Sequence, residues 1–165
     1  MTASHMAAGV LRNRLSLDRY LAHDAMEAGV AAPEVLLAQF TRTIGSEELP
    51  PFTKPACMLA DVVCHSADIR RPLGINRVVP EASLIGAADF LRSEVMSGTR
   101  KRIAGLRLSA TDGAWSLGDG PDVEGPIEAL VLAIAGRLAD LQQLAGSGLP
   151  TLRARVEPSR QADRH

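Results

Sequence analysis

Aromatic side chains are scarce in this sequence: they make up 3% of 165 residues, with Trp115 the single tryptophan. Leu, Val, Ile and Ala must therefore fill the core, which suits helices packed on helices or on a small sheet. There is no surplus of positive charge either. Eighteen Lys and Arg face nineteen Asp and Glu, a formal net charge of -1. That excludes a general nucleic-acid binder, which needs a basic face against phosphates. The one short basic run, Arg100-Lys101-Arg102, reads as a solvated hinge or strand entry. Cysteine is nearly missing, with two residues, Cys57 and Cys64. Seven positions apart on a helix, they lie about two turns from each other, too far for a disulfide. They read as small buried hydrophobes in a reducing cytosol. No charged start followed by an apolar run marks Met1 to Val10 as a secretory signal. The longest apolar stretch, Ala129 to Gly136, falls well short of the roughly 20 residues of a membrane span. The chain is expected to be cytoplasmic, with neither a nucleic acid nor a membrane as partner.

What is present is ordinary globular material: 46% hydrophobic and 22% charged residues, enough for one domain or two small joined ones. Apolar residues at three- and four-residue steps predict a helix over 11–29 and a second over 33–44, opened by Pro33 and closed by Gly45. A proline-bearing loop, 46–55, precedes a third helix over 56–69, with Met58, Leu59, Val62 and Val63 as its apolar face. Pro72 and Gly74 end it. A fourth helix is expected over 80–93. The pattern changes near Gly98. Ile103 to Leu108 looks strand-like, Thr111-Asp112-Gly113 is a turn, and Trp115 to Leu117 reads as the return strand of a hairpin. Residues 122–124 suggest a third short strand. A long helix then runs from Gly125-Pro126 to about Leu144, and Leu152 to Val156 could form a last strand. The expected class is α+β, with a helical domain over 1–97, a small α+β domain over 98–156 and a disordered tail over 157–165. Trp115 is expected to anchor the hairpin on the helix after Pro126. Asp112 is expected to fix its turn. Gly118 and Gly120 are too short a motif for a phosphate loop.

The most informative unit is Asp61-Val62-Val63-Cys64-His65. A carboxylate and an imidazole four apart on a helix share a face, and both suit a divalent metal such as zinc. A surface pair or a helix cap is the commoner meaning of that spacing. Two other histidines offer less: His5 lies at the terminus without supporting context, and His23 beside Asp24 reads as exposed or capping.

The stretch from His65 through Asp68-Ile69-Arg70-Arg71-Pro72-Leu73-Gly74 resembles the "HGxDIRRPLG" signature of the mycothiol-dependent maleylpyruvate isomerase family. Further similarity follows in order: Gly105 to Leu108, Ala110-Thr111-Asp112, Trp115, Gly118 to Pro121, Gly125-Pro126 and Gly136-Arg137. The resemblance covers about residues 15 to 155. It implies a DinB-like metal-binding helical bundle followed by a small α+β domain with a β-hairpin and one long helix. It implies a metal, zinc by ligand type, held by Asp61 and His65, where the family more often has Glu at the first position. It also implies mycothiol as cosubstrate. The thiolate would add to the cis double bond of maleylpyruvate, and rotation and loss of the thiol would give the trans product. The partners are then a small-molecule thiol and a small electrophilic acid. Arg70 and Arg71 are candidates for the substrate carboxylates, since a guanidinium fork matches that shape, or else for ion pairs, with Asp68 as one partner. The family's third ligand, a histidine in a segment like "DVxxHL", is expected before residue 1, so the bundle is expected to be incomplete. Two further readings stand beside the enzyme: a non-catalytic metal- or thiol-binding module, and a structural remnant whose exposed apolar helix faces favour a homodimer.

Overall fold

The computed structural model describes residues 3–12, 16–46, 48–50, 53–94 and 98–157, with only the backbone of 3–6, 17 and 18. The expected tail from 158 onward and Pro51 of the loop lie outside the described residues, as does the side chain of His5. The chain divides into two compact units, 1–54 and 55–165. The boundary expected near residue 97 instead falls inside the second unit.

The first unit holds α1 (Ala3–Arg12), α2 (Leu17–Ala28) and α3 (Pro33–Thr43). The single helix expected over 11–29 is therefore two. Ser16 restarts the chain by accepting a hydrogen bond from the Arg19 amide at 3.3 Å, as an N-cap should. Tyr20 of α2 is buried against Gly9 of α1. Helix α3 begins at Pro33 as expected and buries none of its residues. Leu37 and Phe40 on α3, like Met26 on α2, face solvent. His23 is exposed, with Nδ1 3.7 Å from Glu27.

The second unit is built around one helix. It runs α4 (Pro55–Arg70), α5 (Glu81–Ser93), α6 (Thr99–Ile103), β1 (Arg107–Ala110), β2 (Ser116–Leu117), β3 (Asp122–Gly125), α7 (Ile127–Ile134), a 3₁₀ helix (Leu138–Gln143) and α8 (Leu149–Val156). Every residue of α7 except Glu128 is buried. A helix apolar all round belongs in the middle of a domain. One side of α7 packs with Ala60, Val63, Leu84, Ala87, Ala88 and Leu91 of α4 and α5. Its other side packs with Leu108 and Val123 of the sheet and with Leu141, Leu152 and Val156. Half-buried Trp115 touches both clusters.

The sheet order is β2-β1-β3. Strand β2 returns antiparallel along β1, pairing Leu108 with Leu117. Strand β3 crosses to the opposite edge and runs parallel, pairing Leu108 with Val123. The outer edge of β3 is covered where Glu124 and Ala145 exchange two backbone hydrogen bonds of 2.8 Å each. The coarse α+β class holds.

Three local expectations are corrected. Residues from Thr99 to Ile103 are helical, and the strand starts only at Arg107. The long helix expected to reach Leu144 stops at Ile134. Gly136 turns left-handed at φ 95 and the chain restarts as the 3₁₀ helix. The strand expected over Leu152 to Val156 is α8, with Pro150 in its first turn and Leu152 and Val156, four apart, buried on one face. Among the described residues, no helix is long and apolar enough to cross a membrane.

Candidate metal and thiol site

Helix α4 turns Ala60, Val63, Cys64 and Ala67 inward and leaves Asp61, His65 and Asp68 exposed. The four-residue step brings Asp61 Oδ1 to 3.4 Å from His65 Nε2. One turn further, His65 Nδ1 lies 3.2 Å from Asp68 Oδ2. The imidazole thus stands between two carboxylates, one at each ring nitrogen. An Asp oxygen and an imidazole nitrogen are both donor types that a divalent cation takes.

Asp68 is fixed from a second side. Arg137, in the bend after α7, donates Nη2 to Asp68 Oδ2 at 2.8 Å and Nε to Oδ1 at 3.2 Å. Its Nη1 donates to the Ala135 carbonyl at 3.0 Å, near the end of α7. The hydrogen bond from Arg137 is the main cause holding the Asp68 carboxyl below its usual range, and the same pairing pushes the Arg137 guanidinium up. Arg102 caps α7 as well, donating Nη1 to the Ile134 carbonyl at 3.1 Å. Burial, and secondarily the nearby Arg137 charge, lowers its pKa.

Asp61, His65 and Arg137 line one cavity of about 270 Å³, together with Cys57, Cys64 and an apolar wall that includes Phe90, Leu91 and Ala135. Burial pushes the Cys64 thiol up, against a lowering by Arg137 and with smaller increases from Asp68 and Asp61. Cys64 is thus held as a thiol, a poor nucleophile and a poor ligand. Among the described residues, no three His, Cys, Asp or Glu side chains converge as a metal cluster.

Arg70 and Arg71 lie elsewhere. Arg70 Nη2 donates to Glu128 Oε1 at 2.9 Å. Arg71 lies 3.4 Å from Glu128 Oε2 and also pairs with buried Asp140. Both arginines line a second cavity and do not line the one that holds Asp61 and His65. Their ion pairs are made with α7 and the 3₁₀ helix, while Asp68 pairs with Arg137. Arg137 was legible as part of the Gly136-Arg137 motif, but its role at the cavity depends on a contact spanning 69 positions that no local pattern reveals.

No family model matches the chain, and no curated protein and no solved structure is significantly similar to it.

Proposed function

We propose that the chain is a divalent-metal-binding isomerase or thiol transferase of the maleylpyruvate isomerase type, built on a DinB-like helical arrangement and using mycothiol as cosubstrate. The observation that carries this reading is the meeting of Asp61, His65 and Arg137 at one cavity. The resemblance of the segment from His65 to Gly74 agrees with it.

The donor chemistry fits a cation in part. An Asp oxygen and an imidazole nitrogen suit zinc, and the spacing of 3.4 Å lets both reach one ion. A bound divalent cation would supply the charge that lowers the pKa of a small thiol to give a thiolate near neutral pH. The chain's own residues do the rest. Asp68, 3.2 Å from Nδ1, holds the His65 ring in place. Arg137, anchored by Asp68, presents its charge to the carboxylate of an electrophilic acid. Phe90, Leu91 and Ala135 cover the carbon skeleton and keep water from that side. Cys64, held as a thiol by burial, does not compete with the external thiol.

A second reading, a non-catalytic metal- or thiol-binding module, draws on a specific observation. Among the described residues no third donor joins the pair, whereas catalytic zinc usually has three protein ligands.

Zinc titration of the purified protein by calorimetry, followed by assay with a small thiol and a cis-unsaturated keto acid, separates them. The enzyme reading requires stoichiometric zinc uptake at about micromolar levels, lost in His65→Ala, and zinc-dependent turnover. Uptake without turnover leaves the module. No uptake at that concentration removes both metal readings.

A further inference from the structure

The second cavity has its own chemistry. It encloses about 630 Å³ and is lined by Arg70, Arg71, Arg77, Asp140, Glu128 and Gln143, among others. That volume lies in the range of small-molecule sites. Its floor is a four-member charge network. Arg70 and Arg71 meet Glu128, and Arg71 also meets Asp140, whose side chain is 4% exposed. Two guanidinium groups against two carboxylates leave the floor neutral. Burying such a set costs desolvation that mutual attraction rarely exceeds, so its value to folding alone is small.

Arg77 breaks the balance. It comes from the segment between α4 and α5, where residues 75–80 have no regular structure, and it is exposed. Among the described residues no carboxylate pairs with it. The cavity therefore carries one surplus positive charge at its edge, over low-dielectric walls that concentrate its field. Asn76 and Gln143 add neutral carboxamide donors. Glu128 and Asp140, already neutralised as charges, retain lone pairs for hydroxyl or amino hydrogens.

We propose that this cavity binds a small oxyanion that also carries a hydroxyl or amino donor, with the anion on Arg77 and Arg71 and the donor on Glu128 or Asp140. The site is separate from the Asp61–His65 cleft and does not require a metal there. A carboxylate and a phosphate offer the same oxygens to a guanidinium fork, so both are tested.

The full chain is titrated with glycerate, with glycerol phosphate and with neutral glycerol, and followed by amide NMR. Saturable shifts in the backbone of Gly74 to Val78 are expected with at least one of the two anions, and none with glycerol. Arg77→Gln, a change at an exposed position, should weaken the anion by about tenfold. His65→Ala should leave its affinity unchanged. The anion that binds identifies the headgroup. Absence of saturable shifts with both anions at about 10 mM overturns the proposal, as does equal affinity in Arg77→Gln.

Discussion

Asp68 and Arg137, 69 positions apart in the chain, are joined at two points, by hydrogen bonds of 2.8 and 3.2 Å. The pair ties the exposed face of α4 to the bend that follows α7, and so holds one wall of the cavity to the other. Because Asp68 also faces His65 at 3.2 Å, one carboxylate contacts both the guanidinium and the imidazole at the site. Asp68→Asn should release Arg137 and cost about 0.5 kcal/mol, a small value because the aspartate side chain is 39% exposed. The pH dependence has a definite sign. The folded carboxyl titrates below its ordinary value. Its contribution is therefore full above the unfolded pKa and is lost as pH falls through the folded one. Urea midpoints of the parent and Asp68→Asn should differ at neutral pH and converge in the acid range. An unchanged difference at low pH would exclude this pairing as the cause.

The two cysteines of α4 should differ in reactivity although both line one cavity. Cys57 is half-buried, while Cys64 is buried and its thiol is pushed up by desolvation. Alkylation proceeds through the thiolate. Brief treatment with iodoacetamide near neutral pH should label Cys57 at least about tenfold faster than Cys64. Raising the pH past the ordinary thiol range should narrow the gap. Peptide mass spectrometry reads both sites, and preferential labelling of Cys64 would contradict the assigned burial.

The sheet should be intolerant at its centre. Leu108 pairs with Leu117 on one side and Val123 on the other, is fully buried and packs in the cluster that contains Leu130 and Ile134 of α7. Leu108→Ala removes buried methyl groups and opens a cavity, at a cost of about 2–5 kcal/mol. Leu37→Ala on α3, where the side chain is 65% exposed, should move stability by about 0.5 kcal/mol or less. Urea denaturation of the two variants measures the contrast.

Much of the second unit was readable from residue order because its signals are local. Pro55, Pro80 and Pro126 stand at or next to helix starts, and the alternation around Leu108 and Leu117 marks a hairpin. The Asp61–His65 approach follows from helical spacing alone. Two segments carry competing local signals. Leu152 to Val156 suggests a last strand, whereas Pro150 and the four-residue apolar step favour the helix that forms. Gly136 sits inside the apolar stretch that predicts a helix to Leu144, yet its left-handed backbone ends α7. The domain boundary could not be read locally. Helix α7 is buried against both α4–α5 and the sheet. The partners of Arg70, Arg71 and Arg137 likewise depend on packing between distant segments.

Asp112 gives the sharpest case of a local expectation with a distant outcome. Its position in Thr111-Asp112-Gly113 suggests that the side chain serves its own turn. Instead Oδ1 accepts a hydrogen bond from the Ile127 amide at 2.8 Å, 15 positions later. The residue before α7 is Pro126, which has no side chain able to cap. The first amides of a helix lack partners within it, and a buried one left unpaired is costly. Asp112 thus caps the central helix from the hairpin turn and complements the positive end of its dipole. Asp112→Ala should destabilise the protein by about 1 kcal/mol, while Asp112→Asn, which keeps an acceptor oxygen, should retain most of that stability. Urea denaturation gives the size of the loss, and hydrogen exchange at the Ile127 amide shows its place. Faster exchange there in Asp112→Ala than in Asp112→Asn is expected. Equal protection in both variants would mean that the turn, and not the cap, is what Asp112 maintains.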